Sequence, residues 1–292
     1  MPELPEVETV RRGLERLIVG RTIAHAHTDN HKSFPNSLDE VGAFMIGATV
    51  AGIRRRAKVL LIDLDSGHTL VTHLKMTGQL VYRGEEQFGA GHPNDSLVGE
   101  LPDRSTRVTL DFADGSRLFF NDQRKFGWMK LYPSLEVSEI DFMKKVGPEP
   151  LEDDLTNPQF VARLRRRNGT TIKAALLDQT VVAGIGNIYA DETLWAARIH
   201  PMRRVASLTD AQLASLLPEI RRIMRLAIEK GGSTDKNYVS AEGKRGSYLD
   251  FAKVFRRQGQ SCERCGNQIV KLRVAGRGTH VCPVCQPAGD DI

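Results

Sequence analysis

Hydrophobic residues recur at helical spacing near the start of the chain, which predicts a first helix over residues 5–19. The apolar face of this helix comprises Val7, Val10, Leu14, Leu17 and Ile18. Pro5 suits the first helical turn, and Gly20 suits the position that follows the last one. Glu6 and Glu8 fall in the first turn, where the positive end of the helix dipole favours acidic side chains.

Strand-like runs follow the first helix and predict two β-hairpins. The runs cover residues 59–64 and 69–74, around the turn Asp65-Ser66-Gly67, and residues 107–112 and 116–120, around the turn Asp114-Gly115. Between the hairpins, residues 84–103 are rich in Gly, Pro, Asn and Asp, and this composition predicts a long exposed loop.

The pattern changes from strand to helix around Gly147-Pro148-Glu149-Pro150, where we expect a domain boundary. Four helices are predicted beyond it, over residues 158–167, 172–177, 187–197 and 210–230. Gly184 and Gly186 allow two tight turns before the third of these helices opens at Asn187. The predicted domains are residues 1–146, 147–250 and 251–292.

The chain has 41 basic and 36 acidic residues among 292, and the basic excess is concentrated near the C-terminus. Residues 251–285 contain one acidic residue, Glu263, and seven basic ones: Lys253, Arg256, Arg257, Arg264, Lys271, Arg273 and Arg277. This local excess is larger than that of the whole chain, and such a patch is typical of nucleic-acid binding. A solvated charged surface is the alternative interpretation.

All four cysteines lie in the same basic region, in the pattern C-x2-C-x16-C-x2-C formed by Cys262, Cys265, Cys282 and Cys285. This spacing is typical of a zinc site with four thiolate ligands, so we expect one structural Zn²⁺. Disulfides or free thiols are the alternative. The acidic start of the chain does not match a secretory signal, which disfavours disulfides and favours a cytoplasmic location. No apolar run reaches the roughly 18 residues that a membrane span needs, so we expect no membrane partner.

Four motifs in this order resemble those of the bacterial formamidopyrimidine-DNA glycosylases, the oxidised-purine branch of a family that includes endonuclease VIII. They are Pro2-Glu3-Leu4-Pro5-Glu6-Val7-Glu8-Thr9, Asp122-Gln123-Arg124-Lys125-Phe126-Gly127, Leu177-Asp178-Gln179 with Gly184-Ile185-Gly186-Asn187-Ile188-Tyr189-Ala190, and the cysteine pattern with Gly276-Arg277-Gly278-Thr279. The resemblance implies an α+β fold with an N-terminal β-sandwich and flanking helix, a helix–two-turn–helix module and a zinc finger. It also implies a monomer that binds double-stranded DNA containing oxidised bases or abasic sites in a cleft.

The resemblance also implies a catalytic role for the first residues. Removal of Met1 would leave Pro2 with a secondary amine, which attacks the sugar C1′ and forms an iminium. Glu3 would protonate the sugar ring oxygen, and Lys58 would contact the phosphate near the lesion. From the residues alone, Pro2 and Glu3 can equally be helix caps, and Lys58 a lysine at a strand edge.

Further residues acquire DNA-binding roles from the resemblance. Met76, Arg124 and Phe126 match the three side chains that fill the space left by the extruded base, although Met76 and Phe126 also suit core packing. Residues 232–248 resemble the loop that closes over that base. The other residues with implied roles are His73 in the segment of Met76, Lys173 on the damaged-base side, Asn187 and Arg277 as phosphate contacts, and Glu192 near the site.

One segment departs from the family pattern. The family often has a Lys-His pair before the second hairpin, whereas this chain has Asp103-Arg104-Ser105-Thr106-Arg107, so Arg104 or Arg107 is the candidate for that phosphate contact. Two alternative functions stay open. An endonuclease VIII-like enzyme would prefer oxidised pyrimidines, but Leu4 and Lys173 favour the oxidised-purine branch. A non-catalytic zinc-finger protein would only bind DNA.

Overall fold

The computed structural model describes residues 1–92, 94–233 and 247–289. The chain forms two compact units, the first comprising Met1–Lys144 with Ile228–Ser247 and the second Lys145–Ala227 with Tyr248–Ile292. The predicted boundaries of three domains stay a prediction. Most of the loop predicted to close over an extruded base, residues 234–246, lies outside the described residues. Among the helices described, none combines the length and the apolar character that a membrane crossing requires.

The first unit contains two antiparallel sheets. Their strands are β1 Ile23–Thr28, β2 Val50–Arg56, β3 Val59–Leu64, β4 His68–His73, β5 Gly78–Arg83, β6 Gln87–Gly91, β7 Thr106–Phe112, β8 Arg117–Asp122 and β9 Trp128–Pro133. One sheet has the order β1-β7-β8-β5-β6 and the other β2-β3-β4-β9. Both predicted hairpins are confirmed, as β3–β4 and β7–β8.

Helix α1 (Leu4–Ile18) packs its predicted apolar face into the core of this unit, and the predicted first helix is thereby confirmed. Val7, Val10 and Leu14 are fully buried, together with inward-facing residues of both sheets. A capping box between Glu3 and Glu6 begins the helix. Two short helices, α2 (Leu38–Phe44) and α3 (Asp141–Lys145), complete the unit, which bears out the sandwich with its flanking helix.

The prediction of a long exposed loop over residues 84–103 is wrong. Strand β6 lies in this segment and pairs with β5, and a 3₁₀ turn follows at Asp95–Leu97. Phe88 and Leu97 are each 4% exposed. The Phe88 ring packs against α1 at Gly13, where an added Cβ would lie 2.1 Å from the ring. The glycines that suggested a loop instead allow close packing, since a Cβ at Gly89 would lie 2.9 Å from the Leu97 carbonyl oxygen.

The second unit is built from four helices and one hairpin, and the four predicted helices are confirmed within two residues at their ends. They are α4 Asn157–Arg165, α5 Ile172–Leu177, α6 Asn187–Ala196 and α7 Asp210–Glu229, and the hairpin strands are β10 Val270–Val274 and β11 Arg277–Val281. Helix α6 is buried on nearly all sides, from Tyr189 to Trp195. Its polar side chains therefore need partners within the protein.

Candidate active site and nucleic-acid interface

The Pro2-Glu3 pair lies buried at the N-terminus of α1 in the first unit. Glu3 is 2% exposed, and its backbone N–H donates to Glu6 Oε2 at 2.8 Å. Glu6 Oε1 accepts from the Ser233 N–H at 2.7 Å, so one carboxylate holds both the start of the chain and the segment that follows α7. The positive end of a 15-residue helix therefore faces Pro2, while the Met1 side chain remains 40% exposed.

Lys58 lies at the turn between β2 and β3 and is 7% exposed. The preceding Ala57 has a φ of 52°, and its carbonyl oxygen accepts from Arg55 Nη1 at 2.9 Å. Arg55 Nε also donates to Glu8 Oε2 at 3.1 Å. Because Glu8 belongs to α1, this chain of contacts ties the turn that carries Lys58 to the helix that follows Pro2 and Glu3.

His73 ends β4 opposite Val59, next to the turn of Lys58. Its Nδ1 accepts from the Lys75 backbone N–H at 3.1 Å, which assigns the ring proton to Nε2. Burial, followed by the positive charges of Lys75 and Lys58, lowers the pKa of His73 to about 3. His73 is therefore neutral at physiological pH and can offer an N–H donor but no positive charge to a phosphate.

The three residues predicted to fill the space of an extruded base lie on two turns of the first unit. Met76 lies between β4 and β5 and is 36% exposed, while Phe126 lies between β8 and β9 and is 54% exposed. The Arg124 guanidinium carbon is 4.9 Å from the centre of the Phe126 ring. Exposed apolar side chains next to an exposed arginine are typical of a contact surface, although the roles of these residues stay predictions.

The structure distinguishes the two arginines proposed for the missing Lys-His pair. Arg107 is 4% exposed, and its guanidinium contacts Asp29 Oδ2 at 2.7 Å, the Asp122 carbonyl oxygen at 3.0 Å and the Arg104 carbonyl oxygen. These partners commit Arg107 to the interior. Arg104 is exposed, so the structure favours it for a phosphate contact.

The four cysteines of the second unit form a metal site. Their sulfur atoms all lie within 4.8 Å of one another, with Cys262 to Cys285 at 3.8 Å and Cys265 to Cys282 at 3.4 Å. Zn–S bonds of about 2.3 Å in a tetrahedron place sulfurs roughly 3.8 Å apart, so the residues fit one structural zinc ion. Trp195 Nε1 donates to Cys262 Sγ at 3.4 Å and so ties α6 to the site. The predicted zinc finger is confirmed.

Arg277 is exposed and begins β11, directly after a two-residue turn. Ala275 and Gly276 have φ values of 49° and 74°, as a tight hairpin turn requires. Asn187 Nδ2 donates to the Gly278 carbonyl oxygen at 2.9 Å, and Asn187 Oδ1 has no hydrogen-bond partner among the described residues. Asn187 therefore fixes the position of the Arg277 hairpin, and its predicted contact with a phosphate stays a prediction.

Lys173 is fully buried and lies in a polar network rather than on a surface. Its Nζ contacts Asp191 Oδ1 and Thr279 Oγ1, each at 2.6 Å. Asp191 Oδ2 accepts from the His280 backbone N–H at 2.9 Å. Helices α5 and α6 thus hold strand β11, which carries Arg277, from its buried side. Asp191 was not among the predicted site residues, although it lies one helical turn after Asn187.

Glu192 is 1% exposed, and its carboxylate also serves the interior. It accepts from the backbone N–H groups of Lys253 at 2.8 Å, Val254 at 2.9 Å and Phe255 at 2.8 Å. Burial raises the pKa of Glu192, and these three hydrogen bonds partly offset that effect. The side chain therefore anchors the segment that leads into the zinc finger.

Three family models match successive parts of the chain. A formamidopyrimidine-DNA glycosylase N-terminal domain matches residues 1–129, the H2TH domain of the same enzymes matches residues 146–238, and a zinc finger found in FPG and IleRS matches residues 259–288. The first match contains the site residues from Pro2 to Phe126, and the second contains Lys173 and Asn187. The third contains the four cysteines.

Curated relatives and solved structures agree with these models. The formamidopyrimidine-DNA glycosylase of Lactiplantibacillus plantarum is 42% identical over 98% of this chain and 99% of its own, and that of Herpetosiphon aurantiacus is 41% identical over 98% and 100%. A complex of Lactococcus lactis Fpg with DNA containing an abasic site matches with a TM-score of 0.86 at 36% identity, covering 98% of this chain and 100% of that one. The chain therefore belongs to the formamidopyrimidine-DNA glycosylase family.

Proposed function

We propose that this protein is a DNA glycosylase of base excision repair with abasic-site lyase activity, and that it removes oxidised purines such as 8-oxoguanine and formamidopyrimidines. The observation that carries the proposal is the buried Pro2-Glu3 pair at the positive end of α1. Solved relatives from Lactococcus lactis bind DNA with an abasic site or with a Fapy-dG lesion, which supports the same substrate class here.

The chemistry begins when Met1 is removed, which its exposure permits, and Pro2 becomes a secondary amine. The nearby helix terminus disfavours the ammonium form, so the nitrogen keeps its lone pair for attack. A bond forms between this nitrogen and C1′ while the bond from C1′ to the damaged base breaks. Glu3 donates a proton to the ring oxygen as the sugar opens, and a cationic iminium results.

The iminium then acts as an electron sink for strand cleavage. Loss of a proton from C2′ expels the 3′ phosphate, and a second elimination expels the 5′ phosphate. Hydrolysis of the remaining imine regenerates the amine. No metal takes part in these steps, and the zinc ion supports the finger that presents Arg277.

DNA is held by side chains of both units. Met76, Arg124 and Phe126 enter the base stack and contact the unpaired partner base, and Arg104 binds a backbone phosphate. Arg277 presents five donors in a planar fork, which suits a phosphate of the damaged strand. One chain suffices for one lesion, so we propose a monomer. We place it in the cytoplasm, where the chromosome of its bacterial relatives lies.

Borohydride trapping tests the covalent step. Protein lacking Met1 should form a reduced covalent adduct with a duplex that contains 8-oxoguanine opposite cytosine, and Pro2→Gly should reduce the adduct yield strongly. Pro5→Ala is the matched control, because it removes a proline from the first turn of α1, three residues after Pro2, and leaves the terminal amine intact. If the processed wild-type protein binds the duplex but forms no adduct, the catalytic proposal is wrong.

Substrate choice separates the proposed branch from the endonuclease VIII-like alternative. We expect faster cutting of the 8-oxoguanine duplex than of one with thymine glycol, measured by strand cleavage in a single turnover. Leu4, which is fully buried and begins α1, supports this choice because endonuclease VIII-like chains usually have glycine there. Preference for thymine glycol would instead assign the protein to the other branch.

A further inference from the structure

Asp122, the last residue of β8, is fully buried, and its carboxylate accepts hydrogen bonds from turn residues. It has no ion-pair partner among the residues that the structure describes. Its Oδ1 accepts from the Thr77 hydroxyl and from the Arg124 backbone N–H at 3.2 Å. Its Oδ2 accepts from the Gly127 backbone N–H at 2.6 Å. Both carboxylate oxygens therefore hold the turn between β8 and β9, which carries Arg124 and Phe126.

The same carboxylate reaches the second turn through Thr77. Thr77 is 8% exposed and directly follows Met76. While its hydroxyl donates to Asp122, its oxygen accepts from the Arg124 backbone N–H at 3.0 Å. One carboxylate and one hydroxyl thus join the turn of Met76 to the turn of Arg124 and Phe126.

Local geometry shows why these turns need such support. Lys125, between Arg124 and Phe126, has a φ of 57°, a region that lysine rarely adopts. An added Cβ at Gly127 would lie 2.7 Å from the Phe120 ring and 3.0 Å from Asp122 Oδ2. The turn is therefore tightly packed beneath its backbone, while Phe126 above it is exposed.

We propose that Asp122 and Thr77 are positioning residues that hold Met76, Arg124 and Phe126 in one fixed arrangement for base extrusion. This inference rests on the proposed function. Side chains that must enter a base stack together need their relative positions set before contact, because a displacement of about 1 Å is enough to cost large factors in rate. All the described hydrogen bonds of the Asp122 carboxylate go to the two turns, which is what this role requires.

The role predicts an effect on one substrate and not on another. Extrusion of a paired base requires the two turns, whereas a preformed abasic site has no base to extrude and no base pair to break. Asp122→Asn places an amide N–H against one of the donors of the turn, and Thr77→Val removes the hydroxyl that joins the turns. Both variants should release 8-oxoguanine opposite cytosine about 10- to 100-fold more slowly in a single turnover. Both should cleave the abasic duplex within about threefold of the wild-type rate.

Two further variants serve as controls. Thr77→Ser keeps the hydroxyl and should retain wild-type rates on both duplexes. Thr72→Val removes a fully buried hydroxyl on the neighbouring strand β4 that has no hydrogen-bond partner among the described residues, and should also retain both rates. Thr77→Val keeps the test available if Asp122→Asn fails to fold.

The outcomes separate the inference from simpler roles. Selective slowing on the paired lesion, with rescue by Thr77→Ser, supports positioning. Equal slowing on both duplexes overturns the proposal, because it indicates a general structural role. Wild-type rates on both duplexes also overturn it, because they indicate that these residues have no role in base extrusion. Failure of the wild-type protein on both duplexes refutes the proposed function instead.

Discussion

Both units present exposed side chains on turns between strands, but they support those turns with different chemistry. The turns of the first unit join strands of different sheets, whereas that of the second unit closes a hairpin. In the first unit, the Asp122 carboxylate accepts from neutral donors, the Thr77 hydroxyl and backbone N–H groups. In the second, the Asp191 carboxylate forms an ion pair with Lys173, and both side chains are fully buried. A buried ion pair depends on its partner, because removal of one charge leaves the other unpaired in a medium of low dielectric constant.

The two sets of turns also differ in the hydrophobic core that lies next to them. The turns of the first unit extend from a sandwich whose core is apolar, so their bracing can be weakened without loss of the fold. The Arg277 hairpin of the second unit adjoins a smaller cluster of Trp195, Val254, Ile269 and two cysteines. Small modules of this kind usually need a metal ion for stability. The position of the Arg277 hairpin therefore depends on the folding of the whole zinc finger.

Zinc removal is therefore expected to have the largest effect. Structural zinc sites contribute roughly 10–16 kcal/mol of apparent binding free energy in finger peptides, far more than any single side chain. Chelation should disorder the hairpin and lower affinity for an abasic-analogue duplex by more than Arg277→Ala does in the zinc-loaded protein. Fluorescence anisotropy measures both affinities, and added zinc should restore binding. A loss no larger than that of Arg277→Ala would show that the hairpin holds its shape without the metal.

The next largest effect is expected from the buried ion pair. Lys173→Met leaves the Asp191 carboxylate without its cation and should lower the free energy of unfolding of the second unit by about 3–5 kcal/mol. Asp122→Asn should cost the first unit about 1–3 kcal/mol, because it disturbs neutral hydrogen bonds. Urea denaturation followed by the fluorescence of Trp195 or Trp128 reports each unit separately, after the other tryptophan is replaced by Phe.

Lys271→Met is the matched control for Lys173→Met, since it removes an exposed lysine from β10 and should change stability by less than about 0.5 kcal/mol. Equal losses for Lys173→Met and Asp122→Asn would remove the distinction between charged and neutral support.

Much of the fold was predictable because its signals are local. The apolar face and the cap predicted the first helix, and the turn Asp65-Ser66-Gly67 predicted the β3–β4 hairpin. The spacing of the four cysteines predicted the zinc site. Strand β6 was not predictable in this way. Its glycines are the usual sign of a loop, whereas here Gly89 allows close approach to the Leu97 carbonyl oxygen and Gly91 to that of Gly78. The strand is also held by the packing of Phe88 against Gly13 of α1, far away in the sequence.

The candidate site shows the same limit. Arg104 and Arg107 carry the same charge three residues apart. Arg107 is the buried one because its guanidinium is held by Asp29, 78 positions away, and by the Asp122 carbonyl oxygen. Lys173 was predicted to bind DNA on the damaged-base side, whereas in the structure Asp191 and Thr279 enclose its ammonium group. The sequence shows which side chains are charged. Whether such a side chain is buried against a partner depends on the fold, because the partner can be far away in the sequence.

The smallest expected effect concerns Glu8, the ionic link between α1 and the turn of Lys58 in the first unit. Burial would raise the pKa of Glu8, but hydrogen bonds from Arg11 and Arg12 and the charges of Arg11 and Arg55 outweigh it and lower that pKa below 4.5. A lowered pKa means that the ionised carboxylate stabilises the fold above about pH 4.5, and that this contribution is lost as the pH falls through the folded-state pKa.

Glu8→Gln should therefore reduce the free energy of unfolding by about 1–2 kcal/mol at pH 7, and the difference from wild type should shrink as the pH falls below about 4.5. Urea denaturation at pH 7, 5, 4 and 3 measures this trend. Glu15→Gln is the control, because Glu15 is exposed and, in the part of the chain that the structure describes, pairs only with Arg11. A difference between Glu8→Gln and wild type that stays constant down to pH 3 would mean that packing of the side chain, and not its charge, joins α1 to the Lys58 turn. In that case neither Asp122, which holds the turns of Met76 and Phe126, nor Glu8, which holds the turn of Lys58, would depend on an ion pair. The first unit would then differ fully from the second, where the Lys173–Asp191 ion pair holds the hairpin.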